Sequence, residues 1–288
     1  MPIEAAGTLA IGGDIIINRL GYGTMQLTGP GVWGEPRDRD GAIKVLRRAV
    51  ELGVNFFDTA DSYGPFTAEI LLREALHPYK DGVVIATKAG QARTGPGEWH
   101  PVGRPEYLRQ QAELSLRNLG LEQIDLFQLH RIDPLVSLED QIGALVQLQQ
   151  EGKIRHIGLS EVTVDELERA VRKLATIDSV QNLFNLADRH SEDVLDHSEK
   201  HGIAFIPWFP LATGALASPG SPLATLAGAK GVSPSQLALA WLLKRSPVML
   251  PIPGTASVAH LEENVAAADI TLTENEFTAL ADAVNQKA

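Results

Sequence analysis

The 288-residue chain contains no cysteine. Disulfides, thiolate zinc sites, iron–sulfur clusters and thiol nucleophiles are thereby excluded together. The absence fits a reducing compartment, and a cytoplasmic protein is expected. Basic residues are scarce as well: 25 Lys and Arg face 36 Asp and Glu, for a formal charge of −11. That balance disfavours nucleic acid and anionic membrane surfaces as partners. No stretch approaches the ~18 unbroken apolar residues of a membrane span. The nearest, Gln236–Leu243, is short and runs into Lys244 and Arg245. Met1–Ala10 has neither a basic start nor a long apolar run, so no secretory leader is expected. Nothing in the residues fixes an oligomeric state.

What is present is a composition that is 44% apolar, ample for a core, with continuous apolar periodicity. Short runs rich in Val, Ile and Phe read as strands: Arg19–Met25, Val54–Asp58, Val83–Lys88, Ile124–His130, His156–Ser160, Ser179–Gln181, Ile203–Trp208 and Val248–Pro251. Helical spacing separates them, as in Ala42, Val45, Leu46, Ala49 and Val50 before Gly53. Leu108–Leu119 before Gly120, Ile142–Leu148 before Gly152, Val164–Leu174 behind Thr163 or Asp165, and Gln236–Lys244 behind Ser233-Pro234 follow the same logic. Eight such βα units predict an α/β fold closed into a (β/α)8 TIM barrel, residues 1–288 forming one domain. An open doubly wound sheet is the alternative. It would place G-x-G-x-x-G after its first strand, where only Gly21-Tyr22-Gly23 stands. A barrel of ~250 residues leaves about 38 over. They are assigned to an N-terminal hairpin (Thr8–Ile11, Gly12-Gly13, Ile15–Ile17), an extra C-terminal helix (Glu274–Val284), and the long loops Gln26–Arg37, Gly90–Arg104 and Phe209–Ser221.

The strand ends carry the chemistry. Consecutive strands end in Asp58, Lys88 and His130, bringing an acid, a base and an imidazole to one barrel mouth. A charge at the end of a buried strand is costly unless paired, so Asp58 and Lys88 are expected as an ion pair. Tyr63, five residues beyond Asp58, is a usable general acid if the Lys88 ammonium depresses its pKa. A Tyr before a Gly is otherwise an ordinary packed loop aromatic. His197 and His201 lie four apart on a helix without a further ligand, so no metal is expected. A glycosidase would need a second carboxylate facing Asp58, and only Glu161 stands at another strand end.

The segments Phe56-Phe57-Asp58-Thr59-Ala60-Asp61-Ser62-Tyr63-Gly64, Ile85-Ala86-Thr87-Lys88 and Leu126-Phe127-Gln128-Leu129-His130 closely resemble those of the aldo-keto reductases. Ile157–Ser160, Gln181–Asn185 and Ile252–Thr255 match as well, so the resemblance runs in order over nearly the whole chain. It implies NADPH, with NADH as the alternative, bound on a barrel without a Rossmann domain. It implies a small-molecule carbonyl substrate and a catalytic tetrad of Asp58, Tyr63, Lys88 and His130. Cofactor contacts are implied at Gly23, Thr24 and Met25, at Ser160, Glu161 and Gln181, and at Trp208, Phe209, Pro210 and Leu211. Trp208 corresponds to the aromatic that stacks on the nicotinamide. Glu161 stands where an Asn is common, and a carboxylate cannot donate to the carboxamide oxygen. Gly254, Thr255, Ser257, His260, Glu263 and Asn264 correspond to the adenosine-phosphate loop, where many members have a Lys and an Arg at the places of Gly254 and His260. Trp33, Phe66, Trp99 and Arg131 are expected to line the substrate pocket, Arg131 facing a polar or anionic group. The segments 29–38 and 257–264 look like the bacterial branch that includes pyridoxal reductases. Channel-associated, nucleotide-sensing subunits share the family fold and are the alternative class.

Overall fold

A computed structural model describes residues 2–211 and 220–285. The N-terminal hairpin is present: β1 (Thr8–Ile11) pairs antiparallel with β2 (Ile15–Asn18). Its turn holds three residues, Gly12, Gly13 and Asp14, with φ of 60° and 83° at the glycines. The barrel strands follow as β3 (Tyr22–Gly23), β4 (Phe56–Asp58) and β5 (Val84–Ala89). A second hairpin, β6 (Gln91–Gly95) and β7 (Glu98–Pro101), intervenes. The barrel then continues through β8 (Ile124–Leu129), β9 (Ile154–Ser160), β10 (Ser179–Gln181) and β11 (Ala204–Phe205). Seven strands run parallel in the order β11-β10-β9-β8-β5-β4-β3.

The eighth expected strand, Val248–Pro251, forms no ladder, only a bridge between Met249 and Phe205. It still closes the ring. Phe205 N donates to Val248 O at 2.9 Å, and Leu250 N to Phe205 O at 2.8 Å. On its other edge Gly21 N donates to Pro251 O at 2.9 Å. Pro251 and Pro253 have no N–H, which is why the pairing stops at single bonds. Pro207 shortens β11 in the same way, and Trp208 rejoins the sheet only through a bridge to Leu183. The expected first strand, Arg19–Met25, contracts to Tyr22–Gly23. Gly21 bonds to Pro251 on one edge, and after Thr24 donates to the Asp58 carbonyl of β4 the chain coils into the 3-10 turn Met25–Leu27.

The helices are α1 (Arg39–Glu51), α2 (Thr67–Leu76), α3 (Pro105–Leu119), α4 (Leu138–Gln150), α5 (Val164–Lys173) and α6 (Glu192–His201). They continue as α7 (Pro222–Lys230), α8 (Pro234–Arg245), α9 (Val258–Ala266) and the C-terminal α10 (Glu274–Asn285). Thr163 and Ser233 start α5 and α8 with reciprocal capping boxes. Thr273 and Glu276 exchange the same pair of bonds before α10. Among the described residues no helix is long and apolar enough to cross a membrane.

Apolar faces of the helices pack on the outside of the sheet. Inside it, Phe56, Val84, Ala86, Leu126 and Ile206 meet Ile11, Ile15 and Ile17 from the first hairpin, which plugs the barrel floor. The plug is latched by His156 on β9, 9% exposed, whose Nδ1 lies 2.9 Å from Asp178 Oδ2 and whose Nε2 lies 2.7 Å from Asp14 Oδ1. A Cβ on Gly12 would fall 2.0 Å from the His156 ring, so only glycine lets the turn settle there. Arg155 also binds Asp14, with Nη2 at 2.7 Å from Oδ2.

The hydrogen bond that His156 donates to Asp178, supported by Asp14, raises the His156 pKa above its ordinary 6.5. A raised folded-state pKa contributes stability that is complete below the unfolded value and disappears as pH rises through the folded one. The melting-temperature advantage of the native chain over His156→Gln should therefore be largest near pH 6 and shrink towards pH 9. A difference independent of pH in thermal melts would contradict the latch.

Candidate active site

Four strands converge on one buried carboxylate. Asp58, at the end of β4, accepts Lys88 Nζ on Oδ2 at 2.6 Å. Its Oδ1 accepts Gln181 Nε2 from β10 at 2.8 Å and Gln128 Nε2 from β8 at 3.2 Å. Lys88, on β5, is 0% exposed. Its other two protons go to the Thr59 carbonyl at 2.9 Å and Tyr63 Oη at 3.5 Å. Burial pushes the Lys88 ammonium down, but Asp58 and Tyr63 together outweigh it, and its pKa is raised. Tyr63 departs from expectation: its pKa is raised, not lowered. Burial of the phenol exceeds the opposing pull of Lys88, and Asp58 adds to the rise.

His130 completes the group, its ring 6.0 Å from that of Tyr63 and nearly perpendicular to it. Burial, then Lys88, Arg131 and Arg93, hold its pKa well below the usual imidazole range, so the ring is neutral at pH 7. Ser62 Oγ lies 3.3 Å from Nδ1. When Ser62 donates there, the single imidazole proton sits on Nε2. Behind the cluster Asp61 and Glu69 are both buried, and desolvation raises both carboxyls, Asp61 most strongly.

A cavity of about 690 Å³ opens over the group. Asp58, Tyr63 and His130 line it, while Lys88 lies beneath. Of the residues expected at a cofactor, Gly23, Met25, Ser160, Gln181, Trp208, Phe209, Pro210, Leu211 and Gly254 line the same cavity. Thr24 does not; its hydroxyl is spent on the Asp58 carbonyl. Glu161 sits beside the cavity, Oε1 accepting from Leu183 N and Trp208 Nε1, both at 2.6 Å. The carboxylate thus orients the indole. Thr255, Ser257 and His260 lie at the start of α9 and Glu263 and Asn264 in its second half, all beyond the cavity lining, with Ser257 capping the helix through His260 N. Glu263 is engaged by the Ser233 hydroxyl. Residues 212–219 of the loop after β11 lie outside the described residues.

Of the four expected pocket residues, Trp99 and Arg131 line the cavity, and Trp33 and Phe66 do not. Trp33 is drawn back by a backbone bridge to Gly64, and Phe66 is fixed at φ 65° as the residue before α2. Gln26, Val32, Gln91, Ile252 and Pro253 line it without having been expected. Most are sequence neighbours of expected residues, and that adjacency was the available signal.

The long loop Gly90–Arg104 contains the β6–β7 hairpin. Arg93 organises it. Its five N–H groups reach the carbonyls of Gly31, Val32, Ser62, Gly95 and Glu98 at 2.7–3.2 Å. Its guanidinium lies 3.6 Å from the centre of the Trp99 ring. Trp99 in turn meets Tyr63 and His130 edge-on, at 6.4 and 6.3 Å. Among the described residues the non-glycine positive φ values fall at Val32, Phe66, Glu161 and Phe209, all in loops at this mouth. Strain of this kind persists where the surroundings over-determine it, and it gathers at functional sites.

Residues 19–285 match the sequence model of the aldo/keto reductase family, and the chain belongs to that family. It is 56% identical to an uncharacterised oxidoreductase of Schizosaccharomyces pombe, over 96% of this chain and 89% of the relative. It is 46% identical to the pyridoxine 4-dehydrogenase of Escherichia coli K12, over 92% of this chain and 94% of that one. An aldo-keto reductase of Klebsiella pneumoniae solved with NADPH superposes with a TM-score of 0.81 at 27% identity, covering 95% of this chain and 93% of its own.

Arg93→Ala should release the Trp99 wall. We expect the near-ultraviolet circular dichroism of the aromatic cluster to weaken with the far-ultraviolet spectrum intact. Stability in urea should fall by about 1–3 kcal/mol, the scale for loss of charge-assisted hydrogen bonds. Arg93→Lys should not restore the signal, because an ammonium cannot span five carbonyls.

Proposed function

We propose that the chain is an NADPH-dependent reductase of aldehydes and ketones, with pyridoxal, giving pyridoxine, as the first substrate to examine. The observation that carries this is the buried Asp58–Lys88–Tyr63 relay with a neutral His130 at the head of one cavity. The similarity to the pyridoxine 4-dehydrogenase supports the substrate. The want of cysteine supports a reducing, cytoplasmic setting.

The residues present fit the cofactor. Gln181 has donated both its amide protons, to Asp58 and Gln128, so its Oε1 remains an acceptor for a carboxamide NH2. The Ser160 hydroxyl and the Trp208 indole also line the cavity. A Cβ on Gly254 would lie 2.6 Å from Gly23 O and one on Gly23 2.7 Å from Ile252 O, so this stretch of wall is bare backbone. Ser257, Thr255 and the amides at the start of α9 offer donors for the adenosine phosphate. NADPH, when bound, supplies the hydride.

The chain's own residues supply the rest. His130 donates its remaining N–H to the substrate carbonyl oxygen and orients it. As negative charge develops on that oxygen, the Tyr63 hydroxyl protonates it. Its raised pKa keeps the phenol protonated beforehand. The Lys88 ammonium, anchored by Asp58, stabilises the tyrosinate left behind until solvent reprotonates it. A neutral His130 adds no second cation to oppose that proton transfer.

A panel of carbonyl compounds with NADPH and NADH, including pyridoxal and 4-nitrobenzaldehyde, tests the assignment. Tyr63→Phe is expected to lower kcat by about 10²–10⁴-fold while NADPH still binds, as read by nucleotide fluorescence. Undiminished turnover in that variant would refute the acid role.

A further inference from the structure

Arg131 directly follows His130 at the end of β8 and lines the cavity. Its Nη1 donates to the His130 carbonyl at 2.6 Å and to Ser160 Oγ at 3.0 Å. Those bonds use both protons of Nη1 and fix the plane of the guanidinium. Among the described residues nothing accepts from Nε or Nη2. This is one of the two-nitrogen edges that bind a carboxylate or phosphate bidentately.

The surrounding charges leave that edge available. Lys88 is paired with Asp58. Arg93 spends all five donors on carbonyls. Glu161, the carboxylate that acts on Arg131, has Oε1 committed to Leu183 N and Trp208 Nε1. Among the described residues Arg93 and Arg131 thus stand as two cations without a salt-bridged carboxylate, in a chain whose formal charge is −11. The free edge opens on the cavity and is not buried against protein, so a ligand oxygen can reach it.

We infer that Arg131 recognises an anionic oxygen of the substrate, so that the preferred substrates are flat carbonyl compounds carrying a carboxylate, phosphate or phenolate near the reacting carbon. The inference rests on the carbonyl-reducing reading of this cavity and narrows it. The Trp99 wall suits a flat ring. Pyridoxal has such an oxygen on the ring carbon next to the one bearing its aldehyde.

The test compares 2-, 3- and 4-formylbenzoate with their methyl esters, and pyridoxal with pyridine-4-carbaldehyde, which lacks the ring oxygen. The native enzyme should prefer the anionic member in kcat/KM for at least one formylbenzoate isomer and for pyridoxal. In Arg131→Met that preference should fall by at least about 30-fold, with partial recovery in Arg131→Lys. Benzoate affinity, read by tryptophan fluorescence without turnover, should fall in parallel. An unchanged acid-to-ester ratio with unchanged benzoate affinity overturns the inference. So does an Arg131→Met enzyme that loses NADPH affinity but keeps benzoate affinity, since the edge would then serve the cofactor. A native protein that binds benzoate through Arg131 yet reduces neither acid nor ester supports the anion site and overturns the function proposed above.

Discussion

The Lys88–Asp58 ion pair is the constraint from which the rest of the site follows. Two charges at 0% and 2% side-chain exposure are tolerable only if every lone pair and proton is used. That requirement recruits Gln128 from β8, Gln181 from β10 and the Thr59 carbonyl, so the pair also sets the relative heights of four strands. The last proton of the ammonium is the one that reaches Tyr63. The ammonium beside the Tyr63 hydroxyl is therefore held by the same bonds that hold the barrel mouth in register.

Above this layer the mouth is built from loops, and its order comes from one side chain and four strained residues. Arg93 gathers carbonyls from the loops after β3 and β4 into its own hairpin, and through Trp99 it presses on both Tyr63 and His130. Val32, Phe66, Glu161 and Phe209 adopt left-handed backbone that their side chains disfavour. Glu161 illustrates the return: from that conformation its carboxylate holds the Trp208 indole while its backbone N–H binds Gln181 O.

The eightfold architecture, the floor hairpin and the added C-terminal helix were legible because each has a local signal: alternating periodicity, paired glycines, a capping sequence. The grouping of Asp58, Lys88 and His130 was legible because they fall at the ends of successive strands, while Tyr63, five residues beyond β4, was added by the family resemblance. Three things were not. The lengths of β3, β11 and the eighth segment depend on which neighbour takes each N–H, and proline decides that only once the ring is closed. The pKa of Tyr63 follows from its depth as much as from its lysine neighbour, and depth has no signature in spacing. Arg93 acts on carbonyls as far as 62 positions away, through contacts no motif encodes. Trp33 and Phe66 show the reverse error. Aromatics in a mouth loop resemble pocket walls until a bridge or a helix start turns them aside.

The contact between Gly23 and Gly254 constrains how the protein can change. Each glycine's missing Cβ is excluded by a main-chain atom, Ile252 O for one and Gly23 O for the other. No side-chain substitution nearby can relieve a backbone obstruction. The lysine that many relatives carry at the place of Gly254 therefore cannot be installed by a point mutation without prising β3 from the 252–254 segment. Evolution or an engineer seeking a firmer hold on a nucleotide phosphate must work from the exposed face of α9, where His260 stands, and neither glycine can be replaced while the two backbones keep this spacing.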